Sequence, residues 1–188
     1  KGTKMIVTLS GVTGTGKSFF KNVISQELGF ENLVIVTTRA KRKGEIDGID
    51  KRFVNEEEFE KLKKENKIVV DFEFLGAQYA YMKNELESDK NQVTEVHYNT
   101  IYDFKKYAKD VFSIYMIPKD IERAKQELRN RNLPIEIEKK RLQEIDEHIE
   151  EYTKNENLRK QFNYVFINDY TEVAKNNLLE VIKRRLIQ

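Results

Sequence analysis

Apolar and polar positions along this chain switch between two periods. Short β-branched runs at Lys4–Ser10, Leu33–Thr37, Ile68–Leu75, Gln92–His97, Val111–Ile117 and Tyr164–Asn168 predict strands. Longer stretches between them carry helical spacing. In Lys17–Leu28, Phe20, Val23, Ile24 and Leu28 fall on one face. At 55–66, Asn55 followed three residues later by Glu58 has the form of a capping box, and Val54 is placed to pack on Phe59. Pro134 suits a first helical turn and opens a long charged helix. Its Ile135, Leu142, Ile145, Ile149 and Tyr152 form one stripe. A last helix from about Asp169 turns Ala174, Leu178, Val181 and Ile182 inward. Strands alternating with helices predict an α/β fold around a central, mostly parallel sheet.

Composition narrows the class. The chain has 188 residues, two prolines and eight glycines, with no Gly/Ser/Pro-rich linker and no internal repeat, so a single domain over 1–188 is expected. Lys plus Arg number 34 against 32 Asp plus Glu, a net charge of +2 that offers no basic excess for nucleic acid or a membrane surface. No apolar run is long enough to cross a bilayer, and Lys1 to Ser10 enters a strand pattern without the apolar stretch of a signal peptide. The absence of cysteine excludes disulfide and zinc–thiolate chemistry. These features lead to the expectation of a soluble, cytoplasmic protein, monomeric or homodimeric, acting on small molecules.

The chemistry begins at Gly11-Val12-Thr13-Gly14-Thr15-Gly16-Lys17-Ser18, a match to the phosphate-loop pattern. It follows a predicted strand and opens a predicted helix. Glycines let consecutive backbone N–H groups converge on phosphate oxygens, and the helix N-terminus adds its positive dipole end. Lys17 would reach the β- and γ-phosphates of ATP, and the Ser18 hydroxyl would ligate Mg²⁺. A second concentration of cations lies between Thr37 and Phe53: Arg39, Lys41, Arg42, Lys43, Lys51 and Arg52, interrupted by Glu45, Asp47 and Asp50. Arginines bind phosphate with planar, bidentate geometry. By composition alone the stretch reads equally as a solvated charged loop or a basic patch.

Taken together, these motifs resemble the guanylate kinases. The resemblance is carried by the phosphate loop, Thr37-Thr38-Arg39, Arg42, Gly44-Glu45, Gly48, Asp50 and Phe53, and continues through Gly76-Ala77-Gln78-Tyr79. It extends to Ile117-Pro118 before a helix ending in Arg131, Arg141 on the next helix, and Ile167-Asn168-Asp169. It implies a P-loop NTPase fold with three parts: a core (1–37, 84–118 and 158–188), a β-rich acceptor-binding segment (38–83) and a helical lid (119–157). It further implies ATP and Mg²⁺ as cofactors and transfer of the γ-phosphoryl group to GMP or dGMP. Arg39, Arg42 and Tyr79 would hold the acceptor phosphate, with Glu45 steadying the arginines. Arg131 and Arg141 would close from the lid, and Asn168 would lie near the adenine. Lys17, Arg39, Arg131 and Arg141 would be the catalytic cations.

The base-reading positions depart from the family. Lys51 stands where the family has a tyrosine, Ile35 where it has a serine, and Val70 where it has a glutamate; Asp71 or Glu73 is the carboxylate expected to serve after a small shift. Ala80, Tyr81 and Glu95-Val96-His97 differ as well. These departures keep two alternatives open: a kinase of the same fold with another acceptor (another nucleoside monophosphate or ribose 1,5-bisphosphate), and a non-catalytic protein-binding module. His97, at a strand end, reads either as a replacement for an acidic group near the acceptor or, the favoured reading, as a structural histidine; His148 reads as a surface residue, and Phe20, Phe59, Phe72, Phe74, Tyr164 and Phe166 as core.

Overall fold

The computed structural model describes residues 4–188; Lys1, Gly2 and Thr3, included in the expected core and in the reading of the first ten residues, lie outside the described residues. Five strands form one parallel sheet in the order β2 (Glu31–Asn32), β7 (Gln92–Glu95), β1 (Ile6–Gly11), β8 (Val111–Pro118) and β9 (Tyr164–Asn168). Four more form a mixed sheet in the order β4 (Arg52–Phe53), β3 (Ile35–Thr37), β6 (Ala77–Met82) and β5 (Ile68–Phe74). The helices are α1 (Lys17–Leu28), α2 (Glu56–Lys64), α3 (Lys83–Leu86), α4 (Ile101–Tyr107), α5 (Ile121–Arg129), α6 (Ile135–Lys154), α7 (Glu156–Arg159) and α8 (Glu172–Ile187).

A parallel sheet must bury both faces, and strand alternation does this here. Val7 and Leu9 of β1 pack with Phe20 and Ile24 of α1 and with Leu178 and Ile182 of α8. Ile6 faces the opposite way, into a cluster with Tyr81, Ile101 and Phe104. In the mixed sheet, Val36, Ile68 and Ala80 pack on Phe59 of α2, with Val54 against them. The capping box is present: the Asn55 side chain accepts from the Glu58 N–H at 2.8 Å, and the Glu58 carboxylate accepts from the Asn55 N–H at 2.8 Å. Val12, Ala124, Leu128 and Ile145 form a small core that joins the phosphate loop to α5 and α6.

Several elements differ from the sequence expectation. The predicted strand at 33–37 is shorter, because Leu33 and Val34 cross between the sheets and only Ile35–Thr37 pairs. The last helix starts at Glu172, capped by the Thr171 hydroxyl on the Ala174 N–H. The stripe of α6 runs from Leu142 to Tyr152, whereas Ile135 is 74% exposed because the helix has not yet met α5. In β5, a bulge between Val69 and Phe72 places Val70 at φ 56°, so Val69 and Val70 are both buried and the alternation resets after them.

Candidate active site

The segment Gly11–Ser18 leaves the carboxyl end of β1, the central strand, and enters α1. Gly11 (φ 124°) lies so close to β8 that a Cβ would stand 2.2 Å from the Met116 carbonyl oxygen. A Cβ on Gly14 (φ 84°) would stand 2.4 Å from the Ala124 carbonyl oxygen. Backbone this tight, with positive φ, requires glycine. The outer rim is held from β9: the Asn168 amide donates to the Thr15 carbonyl at 2.8 Å, and the Tyr170 hydroxyl donates to the Gly14 carbonyl at 2.8 Å. Asn168 is buried and also accepts from the Tyr170 N–H, so it fastens the loop while lining the hollow beside it.

Lys17 lies half-buried against this loop, its ammonium 3.0 Å from the carbonyls of Gly11 and Val12. Burial pushes its pKa down to about 8; Glu95 opposes the shift, while Arg141, Arg131 and Lys51 add to it. Glu95, at the end of β7, was not among the site residues expected from sequence. It accepts from the Ser18 hydroxyl at 3.1 Å and faces Lys51 at 3.7 Å and Lys21 at 3.9 Å. Burial disfavours its charge, but Lys51, Lys21, Lys17 and the Ser18 hydrogen bond together hold its pKa at about 2. A hint was available, since Lys21 lies one helical turn beyond Lys17 on the same face of α1.

The acceptor-side cations lie across the same cleft, a cavity of ≈ 370 Å³. Arg39 makes a two-pronged ion pair with Glu45 at 2.7 and 3.1 Å, and Glu45 also accepts from the Arg42 N–H at 2.7 Å. One carboxylate thus folds the loop and presents both guanidinium groups toward the phosphate loop. Arg42, Lys51 and Tyr79 line this cleft, as do Arg131 and Arg141. Arg131 lies two residues past the end of α5, in the turn toward α6, instead of ending a helix. Arg141 is paired with Glu144 at 3.1 Å and lies over the Phe74 ring at 5.6 Å.

Asp71 is not in the cleft. After the bulge in β5, Phe72 and Phe74 point inward while Asp71 and Glu73 point to solvent, and Asp71 is held by Lys63 of α2 at 2.8 Å. Phe72 and Phe74 are therefore cleft walls, correcting their reading as core. Phe72 stacks on Tyr79 at 5.2 Å, and Phe74 lies 4.9 Å from His97. His148 is likewise no surface residue. It is 9% exposed and packs on Tyr98 at 4.9 Å and His97 at 6.2 Å. Burial, with the fields of nearby cations, pushes both histidines down to about 4, so both are neutral at physiological pH.

The donor set suits a hard cation. Ser18 and Glu95 offer two oxygens beside the loop, and no cluster of three or more His, Cys, Asp or Glu exists among the described residues. Mg²⁺ is typically held by one or two protein oxygens together with phosphate and water, and this pair fits that mode. A neighbouring hollow between Phe19, Arg123, Asn168 and Tyr170 borders Gly14 and Gly16 and extends the site away from the acceptor cations. No helix among the described residues is long and apolar enough to cross a membrane.

A phosphate loop at the end of the central strand of a parallel sheet, facing a second cationic loop across one cleft, defines a P-loop kinase. The chain belongs to the guanylate kinase family: the family's sequence model matches residues 3–185. Among solved structures, it is similar to a guanylate kinase from Anaplasma phagocytophilum, with TM-score 0.75 and 23% identity over 100% of this chain and 89% of that one. It is more distantly similar to shikimate kinases. That of Bacteroides thetaiotaomicron matches at TM-score 0.52 and 16% identity, covering 95% of this chain and 98% of that one. That of Acinetobacter baumannii, in complex with shikimate, matches at TM-score 0.50 and 15% identity over 98% and 94%. These likenesses concern the fold.

Proposed function

We propose that this chain catalyses transfer of the γ-phosphoryl group of ATP to GMP, giving ADP and GDP. The observation that carries the reading is the convergence of Lys17, Arg39, Arg42, Arg131 and Arg141 on one cleft whose floor is the phosphate loop. Phosphoryl transfer of this kind depends on positioning and on neutralising charge spread over the transferring group. The loop amides and Lys17 hold the ATP phosphates, while Arg39 and Arg42 hold the acceptor monophosphate with Tyr79 as a further donor. Lys51, steered by Glu95, adds a cation between them. Ser18, with Glu95 beside it, would hold Mg²⁺, which would supply further neutralisation of phosphate charge. In this reading the segment 38–83 carries the acceptor, and 119–157 is the lid that brings Arg131 and Arg141 onto the reacting groups. The protein-binding alternative has no use for the Lys17–Ser18 pair or for the opposed arginines.

A coupled assay of ADP release tests the activity. Turnover with ATP, Mg²⁺ and GMP is expected, and Lys17→Ala should lower kcat/KM at least about 100-fold, as loss of one preorganised charge contact does elsewhere. A folded sample that forms no ADP from this mixture would overturn the assignment.

A further inference from the structure

The wall that receives the acceptor's base is built from rings. Phe72, Phe74 and Tyr98 surround His97, whose ring centroid lies 4.9 Å from Phe74, 4.7 Å from Tyr98 and 5.9 Å from Phe72, and Tyr79 extends the wall by stacking on Phe72. His97 Nδ1 accepts from the Asn99 N–H at 3.3 Å, which assigns the proton of the neutral ring to Nε2. That Nε2–H is buried and has no partner among the described residues, an unfavourable state for a donor. Each carboxylate that could receive a base's own N–H groups is engaged elsewhere. Asp71 faces Lys63 outside the cleft, Glu45 is closed on Arg39 and the Arg42 N–H, and Glu95 is closed on Ser18 and two lysines.

Resting on the kinase reading above, we propose that His97 is the residue that reads the acceptor base, donating its Nε2–H to a ring carbonyl while the aromatic wall stacks on the ring. No carboxylate lining this pocket is left free to accept from the exocyclic amine that distinguishes guanine from hypoxanthine. The pocket therefore takes 6-oxopurine monophosphates as a class, with or without a 2-amino group. A 6-amino group at the same place sets donor against donor and is disfavoured. His148 closes the box from α6, so the helix that carries Arg141 also completes the base pocket.

Binding calorimetry on the full chain, with GMP, IMP and AMP as probes, reads this preference independently of turnover. IMP is expected to bind within about fivefold of GMP, and AMP about 10- to 100-fold more weakly, the range that one mismatched buried donor produces. His97→Phe keeps a flat ring and removes the donor, so it should weaken GMP and IMP while leaving AMP unchanged. His97→Gln, which restores an N–H near the same place, should recover the order GMP ≈ IMP > AMP and covers the case in which the phenylalanine variant fails to fold. GMP binding more than 100-fold tighter than IMP, AMP binding as well as GMP, or equal loss of all three nucleotides in His97→Phe would each overturn the proposal. Failure of ADP release with correctly ordered binding would instead sink only the kinase reading.

Discussion

Lys17 illustrates how one side chain carries a pH dependence. Its pKa lies near 8 because burial disfavours the ammonium ion, and an adjacent polyphosphate stabilises that same ion. ATP affinity should be flat below pH 8 and fall about tenfold per pH unit above it, the slope of a single linked proton. Calorimetry at pH 7, 8 and 9 checks this, and a pH-independent affinity would count against Lys17 as the phosphate contact. At this scale, legibility in the sequence varied with the kind of interaction. Lys17 and Ser18 belong to a local pattern and could be named from spacing, whereas Arg39 and Arg42 stood in a cation-rich stretch and took their roles only from the family resemblance. Glu95, Phe72, His97 and His148 are brought together across more than 50 residues, and Asp71 was misplaced because a one-residue bulge reverses which side chains of a strand face inward. No local pattern announces such a bulge.

Among the elements, α2 gives the cleanest local test. Its N-terminus rests on a reciprocal side-chain pair, so Asn55→Ala should destabilise the protein by about 1 kcal/mol, measured by denaturant unfolding, with little effect on turnover. An unchanged midpoint would show that Phe59 packing alone defines that end. This helix, α1 and the strands β1, β7, β8 and β9 of the parallel sheet were legible because each carries a clear apolar pattern, reinforced in α2 by its capping box. The short strands β2 and β4 and the hairpin partner β6 were not. Two-residue strands carry no period at all, and β6 reads Ala-Gln-Tyr-Ala-Tyr-Met, in which Tyr79 lines the cleft while Ala80 and Tyr81 are both buried, so polar and apolar positions do not alternate.

For the whole molecule, two properties follow from placing so many charges and two neutral imidazoles in one cleft. The histidines titrate near 4 in the folded chain and near 6.5 when unfolded, so the unfolded chain binds more protons between those values. Their contribution to stability is complete above pH 6.5 and is lost as pH falls toward 4. Thermal midpoints should therefore drop between pH 7 and pH 4.5, and the double variant His97→Phe, His148→Phe should flatten that slope. The second property is closure. Arg42 and Arg141 face each other across the site from different segments, and two anions meeting between them should draw the walls together. Trypsin cleavage after both arginines should slow severalfold with a covalently linked ATP–GMP analogue; unchanged digestion would argue for a rigid cleft. The ties from Asn168 and Tyr170 to the rim of the phosphate loop have a consequence in time as well as in space. The motif occupies residues 11–18, yet its outer edge is secured by side chains some 150 positions later. A chain emerging from the ribosome thus exposes the nucleotide signature well before the residues that finish the cradle have been added.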